Sequence, residues 1–474
     1  MDVNLAGAIM RFEIVPVRLK LAALRSRAAL RSRTALMISV SALAIPLLIS
    51  TPASAEGLVS IMDKALLADP RISIADYQYR ISEDQDRQAL GAMLPQVRAS
   101  SNFSRNERKS FDQDNNPTHN HYDGEKYNLS VQQVIYNKSV FDGRNRTQHV
   151  IKQRDFEKNG TLGEVLLDVT ERYIAVLAAN DDLALVQSEK ETVQKQLDQV
   201  SRLYEKQLVK VTDVLEVQTR MDMIQTDEIE AENAVLVSKE ALTELINEPV
   251  DQLNPLQENI SFPALENTVN HWLTKARSNN PQILAMDEAV RASLSRIEES
   301  KGGHYPTLDL VLNSQKSDVG FENVATNRTD TNYLGLTLNV PLYSGGSTSA
   351  KVQEASNQWS LTQLERERTL RFVMKSTREA YLGAKSSLKR IKASERSVLS
   401  AQKSYKAMDT SFKYGTVTVV DVINALQKEY QARRDLQQAK YNHINFWLRL
   451  VFFAGELEPS KLVTVNSWLE SSEG

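Results

Sequence analysis

The chain has 474 residues, of which 41% are hydrophobic and 25% charged, and these proportions exclude a disordered chain. Lysine and arginine number 57 against 60 aspartates and glutamates, with no basic run after residue 33, so nothing points to nucleic acid as a partner. Cysteine is absent, which rules out a disulfide framework and any cysteine-ligated metal.

Residues 1–55 read as a targeting segment. Arg25, Arg27, Arg31 and Arg33 precede an apolar stretch from Ala35 to Ile49, and Ala53-Ser54-Ala55 supplies a small-x-small cleavage site. That stretch, interrupted by Pro46, falls short of the ~20 apolar residues that span a bilayer. Cleavage before Glu56 is therefore expected instead of anchoring. It would remove seven basic and two acidic side chains and move the formal net charge from −3 to −8.

From residue 56 the chain is written twice. The first repeat, 56–246, opens with a helix from about Leu58 to about Leu90 that ends before Pro95. Two alternating stretches follow: Val97, Ala99, Ser101 and Phe103, then Leu129 and Val131, separated by a polar loop from Arg105 to Lys126. A long helix then runs from about Asn145 to Gln207, with Val193/Val200 and Leu197/Tyr204 spaced by sevens, and a second follows Asp213 to about Ile246. Residues 247–268, with Pro249, Pro255 and Pro263, read as a linker. The second repeat, 269–453, gives the same order. A helix from Val269 to Glu299 ends before Pro306. Strands follow at Leu308, Leu310, Leu312 and at Leu334, Leu336, Leu338, Val340, around a loop from Asn313 to Asn332. The next helix carries Ile391, Val398, Tyr405 and Phe412 by sevens, and the last follows Asp421 to about Phe453, leaving 454–474 as a tail. Pro70 and Pro95 return as Pro281 and Pro306 at an offset of 211. Val134-Ile135-Tyr136 returns as Pro341-Leu342-Tyr343 at 207, and Thr212-Asp213-Val214-Leu215 as Val420-Asp421-Val422-Ile423 at 208.

Strands of about ten residues with one apolar and one polar face have the length and pattern that cross an outer membrane and face a wet lumen. Four strands cannot close a barrel, and an open edge in lipid leaves backbone groups without partners, so a membrane reading forces oligomerisation. Three chains would supply twelve strands. The heptads place the long helices side by side around a hollow axis, in a tube continuous with the barrel. The fold class expected is therefore mainly α with a membrane β-barrel.

Three segments carry a family resemblance. Gly303-His304-Tyr305-Pro306-Thr307-Leu308-Asp309-Leu310, Leu338-Asn339-Val340-Pro341-Leu342-Tyr343-Ser344-Gly345-Gly346, and Tyr414-Gly415-Thr416 through Val420-Asp421-Val422-Ile423-Asn424-Ala425 resemble second-half motifs of the TolC outer-membrane efflux protein family. The likeness runs from about Glu56 to the C-terminus. It implies a homotrimer with a twelve-stranded barrel, a periplasmic helical tunnel, and an equatorial region built from the linker and tail. It also implies an exit duct for small toxic compounds or type I secreted proteins, docked to a periplasmic adaptor and an inner-membrane ABC or RND-type transporter. Pro95, Pro306, Pro341, Gly345 and Gly346 fall at strand–helix turns. The helix turns near Gln207–Asp213 and Gly415–Asp421 would be the periplasmic tip and gate, with Asp213 and Asp421 on the constriction, Tyr204 and Phe412 beside it, and Asp421 forming an acidic ring. Each aspartate equally suits the start of its own helix as a cap, and for Asp213 above all both roles stay open. Asn424 stands where the best-known members have a second aspartate. Val417 replaces an arginine, and Phe412 and Gln207 replace a tyrosine and a glycine, so the closed state would be looser or held by apolar contacts.

His119 and His121 beside Asp112, Asp114 and Asp123 lie in the polar loop and are assigned no metal. No phosphate loop or nucleophile elbow marks an enzyme, and no cofactor is expected. The rival reading from another class, a soluble periplasmic coiled-coil adaptor, needs one central hairpin flanked by split β-domains, not two tandem copies.

Overall fold

A computed structural model of the chain describes residues 56–257, 260–265, 267–318 and 328–470; the expected targeting segment, residues 1–55, lies outside the described residues. In chain order the first repeat holds α1 (Leu58–Ala68), α2 (Pro70–Gly91), β1 (Gln96–Phe111), β2 (Pro117–Tyr136), α3 (Lys138–Glu205) and α4 (Val211–Ile246). The second holds α5 (Val269–Asn279), α6 (Pro281–Lys301), β3 (Thr307–Asp318), β4 (Thr329–Asn339), α7 (Ser347–Lys413) and α8 (Val419–Phe453), and α9 (Pro459–Asn466) lies in the tail.

The expected first helix of each half is two helices, and the break has a local cause. Asp69 and Asn280 both adopt extended backbone before a proline, which disfavours helical geometry at the residue preceding it. Each then caps the new helix. Asp69 Oδ1 accepts from the Arg71 amide at 2.8 Å, and Asn280 Oδ1 from the Gln282 amide at 3.0 Å. Pro70 and Pro281 take the first helical turn, where a missing N–H does no harm.

α3 and α7 contain 68 and 67 residues. At ~1.5 Å per residue each is a rod of about 100 Å. α3 begins at Lys138, earlier than the periodicity predicts, because the Asn137 side chain caps it directly after β2. Laterally α4 packs on α3, α3 on α8, and α8 on α7. The main core joins α1, α3, α4 and α8 to Val250, Leu253 and Leu457 through Leu469; a second core, nearer the helix turns, joins α3, α4 and α8 around Val193, Val200, Ile224 and Leu426. Fully burying a side chain such as Leu448 or Ile224 contributes ~1.5–3 kcal/mol each. Linker and tail meet through an isolated bridge, Leu256 with Leu469, and a Phe262–Trp468 edge contact at 5.3 Å. Among the described residues no helix is long and apolar enough to cross a membrane.

The four strands form one antiparallel sheet in the order β1-β2-β3-β4. Pairing extends beyond the sequence expectation. The segment read as a loop, 105–126, is mostly ladder, with a turn at 112–116 where Asp112 Oδ1 accepts from the amides of Asp114 (3.0 Å) and Asn116 (2.8 Å). The apolar alternation stops at Phe103, but backbone pairing does not need it. Polar cross-strand partners such as Arg105 and Asp123, 3.0 Å apart, serve where both faces meet water. The second expected loop is likewise trimmed by β3 and β4; its residues 319–327 lie outside the described residues.

Candidate functional site: the sheet faces and the helix tips

The register sorts the side chains onto two faces. Val97 pairs with Val131, Val131 with Leu312, and Leu312 with Leu334, and directly opposed residues share a face. Leu129, Leu310, Leu336 and Leu338 join them, giving one apolar surface across all four strands that is exposed at Val97, Leu129, Leu312, Leu334, Leu336 and Leu338. The opposite face carries Arg98, Ser100 and Asn102 of β1 against Ser130, Asn128 and Lys126 of β2, then Asp309 and Asn313 of β3 and Thr337 of β4. Phe103 and Tyr127, edge to face at 5.7 Å, close the apolar surface at one end. β1 and β4 are the two outer strands of the sheet. Pro95 and Pro306 directly precede β1 and β3, and Pro341 follows β4. Gly345 and Gly346, at φ +63° and +81°, make the left-handed turn into α7 that other residues adopt only with strain.

At the far end of the long helices, the two turns share one hydrogen-bond plan. The Leu208 amide donates to the Leu203 carbonyl at 2.9 Å, and, 208 residues later, the Thr416 amide donates to the Ser411 carbonyl at 3.1 Å. Each closing turn needs one left-handed residue, Gln207 at φ +58° and Gly415 at φ +72°. Asp213 and Asp421 occupy the same place in the next helix. Asp213 Oδ2 accepts from the Lys210 amide at 3.0 Å. Asp421 makes the fuller arrangement: its Oδ2 accepts from the Thr418 amide (2.9 Å) and hydroxyl (2.7 Å), while its own amide donates to Thr418 Oγ1 at 3.3 Å. The Thr418 hydroxyl, then the Thr418 amide, hold the Asp421 carboxyl below the usual carboxylate range. Within one chain this runs opposite to the rise that a ring of like charges would produce.

The remaining tip residues are not gathered into one cluster. Asn424 is exposed one helical turn beyond Asp421, and Tyr204 is exposed at the end of α3. Phe412 packs half-buried against the second core. Val417 is half-buried in the turn. His119 Nδ1 lies 3.3 Å from Glu107 Oε1 on the paired strand.

Several polar ties between helices were not anticipated from the sequence. Glu189 of α3, only 1% exposed, binds Arg220 of α4 and, at 3.3 Å, Arg434 of α8. Gln196 Nε2 reaches Asp409 at 3.3 Å and Tyr405 Oη at 3.4 Å, both on α7. The Tyr430 hydroxyl of α8 lies 3.0 Å from Ser188 Oγ and 3.1 Å from Thr192 Oγ1. Their signal was present: Glu189 and Gln196 interrupt, at seam spacing, the apolar series Val186, Val193, Val200.

Comparison with known proteins follows the same lines. The chain matches the family described as Outer membrane efflux protein over residues 61–248 and 272–456. It is 28% identical over 440 residues to the alkaline protease secretion protein AprF of Pseudomonas aeruginosa, covering 90% of each chain. It is 28% identical over 428 residues to the outer membrane protein TolC of Vibrio cholerae, covering 89% of this chain and 96% of that one. The fold is shared with the Campylobacter jejuni CmeC outer membrane channel at a TM-score of 0.75 and 15% identity, over 88% of this chain and 90% of that chain.

Proposed function

The chain belongs to the outer membrane efflux protein family, and on that premise we propose that three copies close one barrel to which each contributes its four strands. The protein is an outer-membrane channel subunit of efflux and type I secretion systems, not an enzyme. The observation that carries the trimer is the sheet, which combines a continuous apolar face with two outer strands whose far edges find no strand partner among the described residues. In lipid every backbone donor and acceptor needs a partner, so β1 of one copy pairs antiparallel with β4 of the next. Twelve strands make an even-numbered barrel wide enough for water along its polar face. The described residues of the linker and of the tail form a girdle around the middle of the helices, a reading supported by the Leu256–Leu469 bridge.

A periplasmic adaptor and an inner-membrane ABC or RND-type transporter complete the duct, and the transporter selects between small toxic compounds and secreted proteins. The turns at Gln207–Asp213 and Gly415–Asp421 form the periplasmic gate, with Asp213, Asp421, Asn424, Tyr204, Phe412 and Gly415 around it. The exposure of the Asp421 carboxylate, anchored by Thr418, supports a fixed negative charge on the pore axis. The ties of Gln196 to Tyr405 and Asp409 hold the closed state in place of ionic links from positions 417 and 424.

Mass measurement of the detergent-solubilised protein tests the trimer; a monomer defeats it. Single-channel conductance in planar bilayers tests the gate. Trivalent cations should block the parent more strongly than Asp421→Ala, and equal block removes Asp421 from the constriction.

A further inference from the structure

A displacement of 208 residues carries α4 onto α8. The α4 residues that pack on α3, among them Val217, Ala231, Val235 and Leu242, fall on Ala425, Ala439, His443 and Leu450, which lie along one side of α8. On that side His443 and Leu450 meet Ser387 and Tyr381 of α7. α8 has a second buried side, where it meets α3, and α4 does not. Ile423 and Ile444 are 4% and 1% exposed, whereas their counterparts Leu215 and Leu236 are 58% and 67% exposed. Ile229, seven residues from Leu236, continues the stripe on α4. A helix with two apolar stripes at heptad spacing is built for two neighbours. The counterpart of α3, α7, sits at the opposite flank of the same chain.

Charge gives the same answer. α4 carries nine acidic and two basic side chains. The stretch of α7 level with it above the tip turns, residues 378–413, carries nine basic and three acidic. Leu382, Lys389, Arg396 and Lys403 recur by sevens on the side of α7 turned away from its buried face.

We propose that the acidic, apolar face of α4 and the basic face of α7 are two halves of one subunit seam, α4 of one copy docking on α7 of the next as α8 docks on α3 within the chain. The proposal rests on the trimeric reading. Carrying the internal contacts across by the repeat names the pairs. Ser188 and Tyr430, whose hydroxyls lie 3.0 Å apart, correspond to Arg396 and Asp222. The seam thus sets a guanidinium against a carboxylate of the next copy, and among the described residues neither has an ion-pair partner in its own chain. Asp181 and Tyr441, 2.5 Å apart, correspond to Lys389 and Asn233. Unlike faces meeting head to tail generate a ring when the rotation closes. Opposed charge along the seam fixes its register and disfavours pairing of like faces.

The absence of native cysteine makes cross-linking unambiguous. In the full-length protein in membranes, Asp222→Cys combined with Arg396→Cys should give dimer and trimer bands with a short bismaleimide, and either cysteine alone should not. Asp222→Arg or Arg396→Asp should each lower the trimer-to-monomer ratio about tenfold at low salt, and the two together should restore it. Trimers of the right mass with neither cross-link nor rescue overturn the seam while leaving the trimer standing. Monomers by mass overturn the trimeric reading itself. Cross-linking of either cysteine to a different protein in place of a second copy overturns the choice of partner.

Discussion

α4 and α8 are two copies of one element, entered through the same turn and a capping aspartate, yet they live in different surroundings. α8 lies between α7 and α3 and is buried on two sides; α4 packs chiefly on α3, touches α1 and α8 only lightly, and is buried on one side. Where the surroundings agree, the side chains agree in kind, as at Val217 and Ala425 or Leu242 and Leu450. Where they differ, the same heptad position bears a buried isoleucine in one copy and an exposed leucine in the other. Repetition therefore preserves local geometry, while burial is set by what each copy meets.

The largest effect should come from truncating the second side of α8. Ile444→Ala removes a fully buried side chain and should destabilise by ~2–5 kcal/mol, while Leu236→Ala in α4 should cost the isolated chain almost nothing. Thermal denaturation followed by circular dichroism compares them. Equal losses in a monomeric preparation would break the contrast between one-sided and two-sided burial.

His443 sharpens it further, because its counterpart in α4 is the apolar Val235. His443 is buried with Nδ1 2.8 Å from Ser387 Oγ and its ring 4.8 Å from that of Phe262. Burial lowers its pKa from 6.5 to about 4. The folded state thus holds neutral imidazole while the unfolded chain takes up a proton at the ordinary value. Stability is full above pH 6.5, falls as the pH descends toward 4, and levels off there with ~3 kcal/mol lost. His443→Val, which copies the first repeat, should flatten that slope between pH 7 and pH 4.5 in the same melting assay; an unchanged slope assigns it to other groups.

Smaller differences are expected at the turns. Thr418→Ala deletes a hydroxyl that caps α8 and should destabilise by ~1 kcal/mol, whereas Lys210→Ala, at the equivalent place before α4, removes no side-chain cap and should be near neutral. Chemical denaturation midpoints would separate the two. The smallest change is Gln207→Gly. Left-handed backbone strains a side chain by ~1–2 kcal/mol, part of which glycine returns as unfolded-state entropy, so a gain of ~0.5–1 kcal/mol is expected. A loss would mean that the Gln207 side chain serves the first turn in some other way.

Much of this architecture was legible in the amino-acid order because it rests on local rules. Alternation at Leu334, Leu336 and Leu338 marked a strand, heptads at Ile391, Val398 and Tyr405 marked a seam, and the paired prolines marked the repeat. What stayed hidden was of two kinds. The helix breaks at Asp69-Pro70 and Asn280-Pro281 are masked by helical patterning on both sides, although an N-cap before proline is itself a local signal. The hairpin beyond Phe103 has no such mark, because polar residues on both faces leave no alternation to tell a strand from a loop.

The sequence by itself determined the elements, their tandem order and the two faces of each strand, since these follow from periods of two and seven and from the conformational limits of proline and glycine. Only the tertiary structure decided which heptad stripe is buried. α8 and α4 carry comparable patterns, and the side of a helix that meets water depends on whether the chain brings a second helix against it. The same applies to Glu189, Gln196 and His443, whose polar or ionisable groups look misplaced in an apolar series until Arg434, Asp409 and Ser387 arrive from other helices to satisfy them.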